Sequence, residues 1–364
     1  MIPLFKVAMN PEADKAVAKV LHSGFIGQGE VVEEFERQLK ERFKNEYLVT
    51  VNSGTSALQL ALRLIKDKHP NKKYIISTPL TCTATNWAIL AAGFEIIWAD
   101  IDPNTLNIHP LSVQACQTNE VAAVMVVHWG GAAADVKWIK SLTGLDIIED
   151  CAHAFGSTYR NEDILVGNSG NYCCFSFQAI KHLTTGDGGM LILPSEYDYK
   201  KAKLLRWYGI DREGDRKDFR CEAPIKDWGY KFHMNDINAA IGIENLKIVD
   251  DNIDKHFDNA LYYNEQFEYG VTELRKLEFK PNSSYWIYSV KVPRRDDFQR
   301  AMKDRGIMTS QVHERNDIHP CVTKYKTKLD ILDDIIGELS SIPVGWWVTK
   351  EDREYIVEQI KKGW

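Results

Sequence analysis

Through the first two thirds of the chain, short apolar runs alternate with stretches whose apolar positions recur every three or four residues. The short runs fall at 47–51, 74–78, 95–99, 122–127, 146–150, 172–177 and 190–193, with Gly, Pro, Asn or Asp at their borders. Their length and β-branched content predict strands of a parallel sheet buried on both faces. Between them, residues 30–43 (EVVEEFERQLKERF) place Val31, Phe35 and Leu39 at i, i+4 and i+8, the spacing of one helical face. Further helices are predicted over 55–65, after Asn52-Ser53-Gly54, and over 83–92, after Pro79-Leu80-Thr81. Strand followed by helix, repeated, implies right-handed crossovers and a ligand crevice at the strands' carboxyl ends.

The rhythm changes near residue 240. Residues 241–266 read as one long helix carrying Ile241, Ile243, Leu246, Ile248, Val249 and Ile253 among charges. A strand over 286–292, a helix over 295–305 and a charged closing helix over 350–362 follow. The expected division is a large α/β domain, 1–240, and a smaller α+β domain, 241–364, with the long helix connecting them. No internal repeat or low-complexity linker interrupts either part.

Composition narrows the class. The 364 residues include 45 Lys+Arg against 51 Asp+Glu, a formal net charge of -6, and no basic run longer than a pair, so no nucleic-acid partner is expected. With 44% hydrophobic residues the chain is too apolar for disorder. No apolar stretch approaches the roughly 20 residues of a membrane helix, and Met1-Ile2-Pro3-Leu4-Phe5-Lys6 is not a secretory signal. Seven cysteines without CxxC spacing read as reduced thiols of a cytoplasmic protein.

Three segments carry chemistry. In LDIIEDCAH, an apolar run delivers Asp150 to the crevice, with His153 three residues on. A carboxylate buried there needs a cationic partner; alone it also reads as a helix N-cap or half of an ion pair. In CFSFQAIKHLTTGDGG, Lys181 follows Ser176-Phe177 and precedes a glycine cluster that permits close backbone approach to a ligand. An isolated lysine is ordinarily a surface residue, but in a desolvated crevice it forms a Schiff base with an aldehyde. In VNSGTSALQL, a strand leads through Ser53-Gly54-Thr55-Ser56 into a helix whose N–H groups suit a phosphate. Neither a GxxxxGK[ST] loop nor a GxGxxG fingerprint is present, which argues against a nicotinamide-dependent oxidoreductase. Together a phosphate cradle, an acid for a pyridinium nitrogen and an aldehyde-trapping lysine answer the needs of pyridoxal 5′-phosphate (PLP). His319-Pro320-Cys321 lacks the paired spacing of a metal site, so no metal is expected.

At this point the chain resembles the DegT/DnrJ/StrS family of sugar aminotransferases, which have the aspartate-aminotransferase fold (fold type I). The resemblance runs through NSGTSAL, TPLTCTAT, EDCAHAFGS, FSFQAIKHLTTGDGG, GYKFHMNDINAAIG and SIPVGWWVTKED, nearly the whole chain. It implies Lys181 as the Schiff-base lysine, Asp150 as the pyridinium partner and His153 near the ring oxygen O3′. It implies Gly54, Thr55, Ser56 and Ser176 as phosphate ligands, and a loop of a neighbouring subunit that completes the phosphate site of a homodimer. Two positions depart from the family. Cys82 stands where an aromatic usually packs on the cofactor ring, and Lys231, in Gly229-Tyr230-Lys231-Phe232-His233-Met234, replaces an amide.

The resemblance also implies a two-stage exchange. L-glutamate converts the cofactor, through the internal aldimine, to pyridoxamine phosphate, which passes the amine to a nucleotide-linked keto-6-deoxy sugar, at C4 rather than C3. Candidates for the substrate's charged groups are Arg206, Arg212, Arg220, His313 and Arg315; Trp129, Trp207 and Tyr208 are candidates for stacking. Alternatives are a sugar dehydratase or cyclitol aminotransferase of the same family, or a non-catalytic sensor or scaffold. A dehydratase branch has histidine at the lysine position; here Lys181 is retained and His182 follows it, which favours transamination.

Overall fold

The computed structural model describes residues 1–159, 162–214, 224–268 and 273–364. All seven strands expected in the first two thirds form: β1 (Leu48–Val51), β2 (Tyr74–Ser77), β3 (Glu95–Trp98), β4 (Val121–Val127), β5 (Asp146–Asp150), β6 (Tyr172–Ser176) and β7 (Gly189–Ile192). They make one sheet in the order β1-β7-β6-β5-β4-β2-β3. The strands from β3 across to β6 pair in parallel, while β7 runs antiparallel to both β6 and β1. The mostly parallel sheet expected from the sequence therefore forms, with β7 as its one antiparallel strand. No helix lies between β6 and β7, and without a crossover element the chain returns antiparallel.

Apolar layers cover both faces. On one, the helices Gly54–Lys68 and Thr83–Ala91 bury Leu60, Ala61, Ala88 and Ile89 against the sheet. On the other, the helix Glu30–Phe43 buries Val32, Phe35, Leu39 and Phe43. Val32, not Val31, heads that face: steps of three, four and four residues hold one stripe where the simple i+4 ladder drifts.

The single helix expected over 241–266 is two, Asp236–Leu246 and Val249–Gln266. At the junction Lys247 and Ile248 donate to the carbonyls of Glu244 and Asn245, a three-residue spacing that ends the first helix. Ala239 of the first helix packs in the sheet's core, whereas Ala260 and Tyr263 of the second belong to a separate apolar cluster. That cluster includes residues of a small antiparallel sheet ordered β10 (Leu339–Ile342), β9 (Tyr288–Lys291) and β8 (Arg275–Lys276). Helices Arg295–Asp304 and Lys350–Lys361 flank it, the latter opened by a reciprocal cap between Thr349 and Asp352. The N-terminal residue Ile2 bridges Ile307, so the chain's start packs on its last third. Among the described residues, no helix is long and apolar enough to cross a membrane.

Candidate active site

Strand β5 ends in two acids whose side chains alternate across the sheet. Asp150 lies buried at the crevice end, its Oδ2 accepting from Thr85 Oγ1 at 2.7 Å and its Oδ1 from the Ala152 N–H at 3.1 Å. An ionised carboxylate accepts about four hydrogen bonds, so Asp150 keeps capacity for a ligand donor. Glu149 is closed. His128 Nε2 (2.8 Å), Tyr159 OH (2.7 Å), Asn171 Nδ2 (2.8 Å) and Ser169 Oγ all reach it. Burial pushes the Glu149 carboxyl upward, but His128 and the other donors outweigh it and hold the group below its usual range. His128, Glu149 and Cys151 place ligand atoms within 4.8 Å of one another. His128 nevertheless uses one nitrogen on Glu149 and the other on the Ala134 N–H, so this trio is an internal network.

Beyond β6 the chain turns through residues 177–188, and Lys181 projects from that turn. Its Nζ stands 3.4 Å from the centre of the Trp286 ring. Trp286 stacks on His153 at 3.9 Å and 21°, and on Phe5 at 5.0 Å, while its Nε1 donates to the Ile180 carbonyl at 2.9 Å. Burial pulls the Lys181 ammonium down to about 7, opposed by the charges of Asp150 and Cys82. These three side chains thus share one electrostatic neighbourhood. Cys82 is half-buried at the start of the helix that carries Thr85. His153 is buried, and burial together with the Lys181 charge holds it neutral, well below the usual histidine range. Its Nδ1 faces the Gly130 N–H at a long 3.4 Å. An accepting Nδ1 leaves Nε2 to carry the proton.

His313 joins this cluster. Its ring is parallel to His153 at 5.7 Å and 4°, and stands edge-on to Trp129 at 5.8 Å. Burial, then Lys181, lower it to about 4, and its Nε2 has no hydrogen-bond partner among the described residues. The preceding Val312 has φ +70°, bracketed by a bond from the His313 N–H to the Gln311 carbonyl at 2.9 Å. A β-branched residue in that turn is strained by about 1–3 kcal/mol.

Across the sheet, Ser53 caps the helix Gly54–Lys68 by accepting from the Ser56 N–H at 3.0 Å. Gly54 permits close packing on the end of β6: a Cβ there would lie 2.7 Å from Ser176 Cβ. Gly54, Thr55 and Ser176 thereby meet at one helix N-terminus, where the first N–H groups have no intrahelical acceptor. Ser56 is committed locally, its hydroxyl donating to Asn52 Oδ1 at 2.6 Å. Lys231 is exposed, and its segment is anchored on Asn52 of the same chain through the Phe232 and Lys231 carbonyls (2.7 and 3.2 Å).

The arginines fall in different places. Arg206 is buried, ion-paired to Glu36 and bonded to the Thr50 carbonyl. Arg315 grips Asp317 with two 2.6 Å bonds and also pairs with Asp333. Its guanidinium therefore braces its own loop. Arg212 is exposed, 4.2 Å over the Trp207 ring, and donates to the Gln28 carbonyl at 3.2 Å. Arg220 lies outside the described residues. Trp207 stacks on His233 at 3.5 Å, and Tyr208 is exposed. Trp286 and Phe5 are site residues that the sequence patterns did not single out. Trp286 sits at the start of a predicted strand, and nothing in its local spacing marks it off from a core aromatic.

This donor set fits PLP. A lysine with a lowered pKa suits its aldehyde, an unsaturated carboxylate its ring nitrogen, and a neutral histidine donor its ring oxygen. A glycine-opened helix N-terminus suits its phosphate. The comparisons agree with that chemistry. The DegT/DnrJ/EryC1/StrS aminotransferase family profile matches residues 7–361. The structure is similar to that of AtS13 from Actinomadura melliaura, with 44% identity, a TM-score of 0.95, and coverage of 100% of this chain and 99% of that one. It is also similar to the sugar aminotransferase CalS13 from Micromonospora echinospora, at 39% identity and TM-score 0.95 with both chains covered in full. The spore coat polysaccharide biosynthesis protein SpsC of Bacillus subtilis (strain 168) is 35% identical over 260 residues, 69% of this chain and 65% of SpsC. The protein accordingly has the type I fold of PLP-dependent transferases and belongs to the DegT/DnrJ/EryC1/StrS aminotransferase family.

Proposed function

We propose that the protein is a PLP-dependent transaminase that moves the amino group of L-glutamate to the keto group of a nucleotide-linked keto-6-deoxy sugar, at C4 rather than C3. The observation that carries this reading is Lys181, lowered to about 7, sharing the crevice with an Asp150 that still has accepting capacity. When bound, the cofactor supplies an electron sink and a temporary seat for nitrogen. Asp150 holds a proton on the ring nitrogen, and His153 donates to the ring oxygen from Nε2. Gly54, Thr55 and Ser176 bind the phosphate, with Ser56 contributing through the cap it stabilises. Lys181 would hold the cofactor at its aldehyde end, and its amine, once free, would act as the general base for the proton on the donor's Cα. Trp286, whose ring centre lies 3.4 Å from Lys181 Nζ, and Cys82 would line the cofactor's seat beside that lysine. His313, neutral and with a free Nε2, and Arg212 meet the sugar nucleotide.

The protein acts as a cytoplasmic homodimer in this reading, with Lys231 serving the partner's phosphate site. Exposed Phe25 (55%), Ile26 (50%) and Trp228 (64%) supply apolar surface for a second copy. Purified protein incubated with L-glutamate and dTDP-, UDP- and GDP-linked 4-keto and 3-keto-6-deoxy hexoses, followed by mass spectrometry, tests the reaction. Exchange of a keto oxygen for an amine on a 4-keto sugar is expected. Loss of a hydroxyl without gain of nitrogen would identify a dehydratase. Turnover of a cyclitol ketone alone would move the substrate class.

A further inference from the structure

Asp150 is oriented by Thr85, and Thr85 is itself held by a buried relay that begins far along the chain. The Thr85 hydrogen goes to Asp150 Oδ2 at 2.7 Å, so the Thr81 hydroxyl, 2.9 Å away, is the donor to Thr85. The Thr81 backbone is fixed in turn by Asn316, whose Nδ2 donates to the Thr81 carbonyl at 2.9 Å. Both amide hydrogens of Asn316 are used, and its amide oxygen and backbone N–H are engaged as well. Its backbone N–H donates to the Pro79 carbonyl (2.8 Å), its Nδ2 also to the Glu314 carbonyl (3.2 Å), and its Oδ1 accepts from Asn86 Nδ2 (2.8 Å). Asn86 is likewise engaged at both ends, its Oδ1 accepting from the Ser77 hydroxyl (2.6 Å) and its other amide hydrogen going to the Thr78 carbonyl (3.0 Å). Asn316, Asn86 and Thr85 are all 0% exposed. On either side of Asn316, Arg315 clamps Asp317.

We infer that Asn316 is a positioning residue for Asp150. It seats the turn over residues 79–86 so that the Thr81–Thr85 pair donates to one carboxylate oxygen and leaves the acid aimed at the cofactor's nitrogen. The same loop carries His313 three residues earlier, so seating Asn316 also sets the histidine that faces the crevice. A fully satisfied buried network of this kind has one arrangement, and a missing member leaves unpaired groups behind. The inference rests on the PLP reading for its function, and on the relay alone for its geometry.

The test uses full-length protein carrying Asn316→Ala, Thr85→Val, the pair together, and Thr85→Ser, which restores a hydroxyl. Each is measured for PLP dissociation constant and for the titration midpoint of Asp150 in the cofactor-free protein, by carboxyl carbon-13 resonance. Asn316→Ala and Thr85→Val are each expected to weaken PLP by about tenfold or more and to shift the Asp150 midpoint. The double variant is expected to be no worse than Thr85→Val within about twofold, because both act through one hydroxyl. Thr85→Ser should behave as the unaltered protein. An Asp150 midpoint unmoved by Asn316→Ala overturns the inference, as do losses that multiply in the double variant. If the unaltered protein binds no PLP, the functional reading falls, while the Asp150 midpoint still decides the positioning role.

Discussion

At the scale of single residues, the proposed chemistry depends on Lys181 being neutral when it meets an aldehyde. Burial brings it from the ordinary 10.5 to about 7, so covalent capture of PLP by cofactor-free protein should rise with pH and level off above about 7. Stopped-flow absorbance over pH 5 to 10 reads this; a midpoint near that of free lysine would contradict the burial. Stability follows the same group. Between about 7 and 10.5 the unfolded chain carries a proton on this amine that the folded chain has lost, so its contribution to stability rises with pH across that window. Lys181 and Asp150 were legible in the sequence because a strand's end and a glycine cluster mark their positions locally. Trp286 was not: its ring meets Lys181 only after more than a hundred intervening residues have folded. Arg315 shows what a sequence pattern leaves out: its charge marks it as a ligand candidate, and only the fold reveals that Asp317, two residues on, already holds its guanidinium.

At the scale of elements, β5 carries both the acid proposed to meet the cofactor, Asp150, and an acid that holds the fold, Glu149. Glu149 gathers donors from His128, Tyr159, Ser169 and Asn171, which come from the surrounding chain. Replacing it by alanine leaves those donors facing a cavity, and Glu149→Ala should cost about 3–5 kcal/mol in denaturant unfolding. The carboxyl is held below its usual 4.5. Its contribution is therefore intact above that value and is lost as pH falls through the lower folded value. Strand positions and the helix Glu30–Phe43 were readable from periodicity, since their faces repeat over several turns. The break at residues 247–248 was not, because the apolar positions continue across it: Val249 still packs in the same core as Ala239, and only farther along, at Ala260 and Tyr263, does the second helix enter the other core. The direction of β7 was equally hidden, being a property of the connection before it and not of its own four residues.

At the scale of the whole molecule, the proposed sharing of sites between two subunits makes a distinctive prediction. Lys181→Ala and Lys231→Ala proteins should each be nearly inactive alone. Mixed under conditions that exchange subunits, they should regain about a quarter of the native sites, because half of the random dimers hold one intact site assembled across the two-fold axis. Turnover that stays absent after confirmed exchange would assign Lys231 to its own chain, beside Asn52. The sheet order has a consequence during synthesis. Strand β1 is made early, yet its neighbour in the sheet is β7, and its register runs from Leu48 opposite Ile192 to Val51 opposite Gly189. At about 5–20 residues per second, a ribosome leaves β1 unpaired for roughly 7 to 28 seconds. Throughout that interval β1 lacks its sheet partner, and Gly54 has no Ser176 to rest against until residue 176 has been made. A transcript cut short before codon 189 would thus release a product in which β1, and the Gly54 turn that follows it, has no strand to hold it in the sheet, and whose unpaired strands invite clumping.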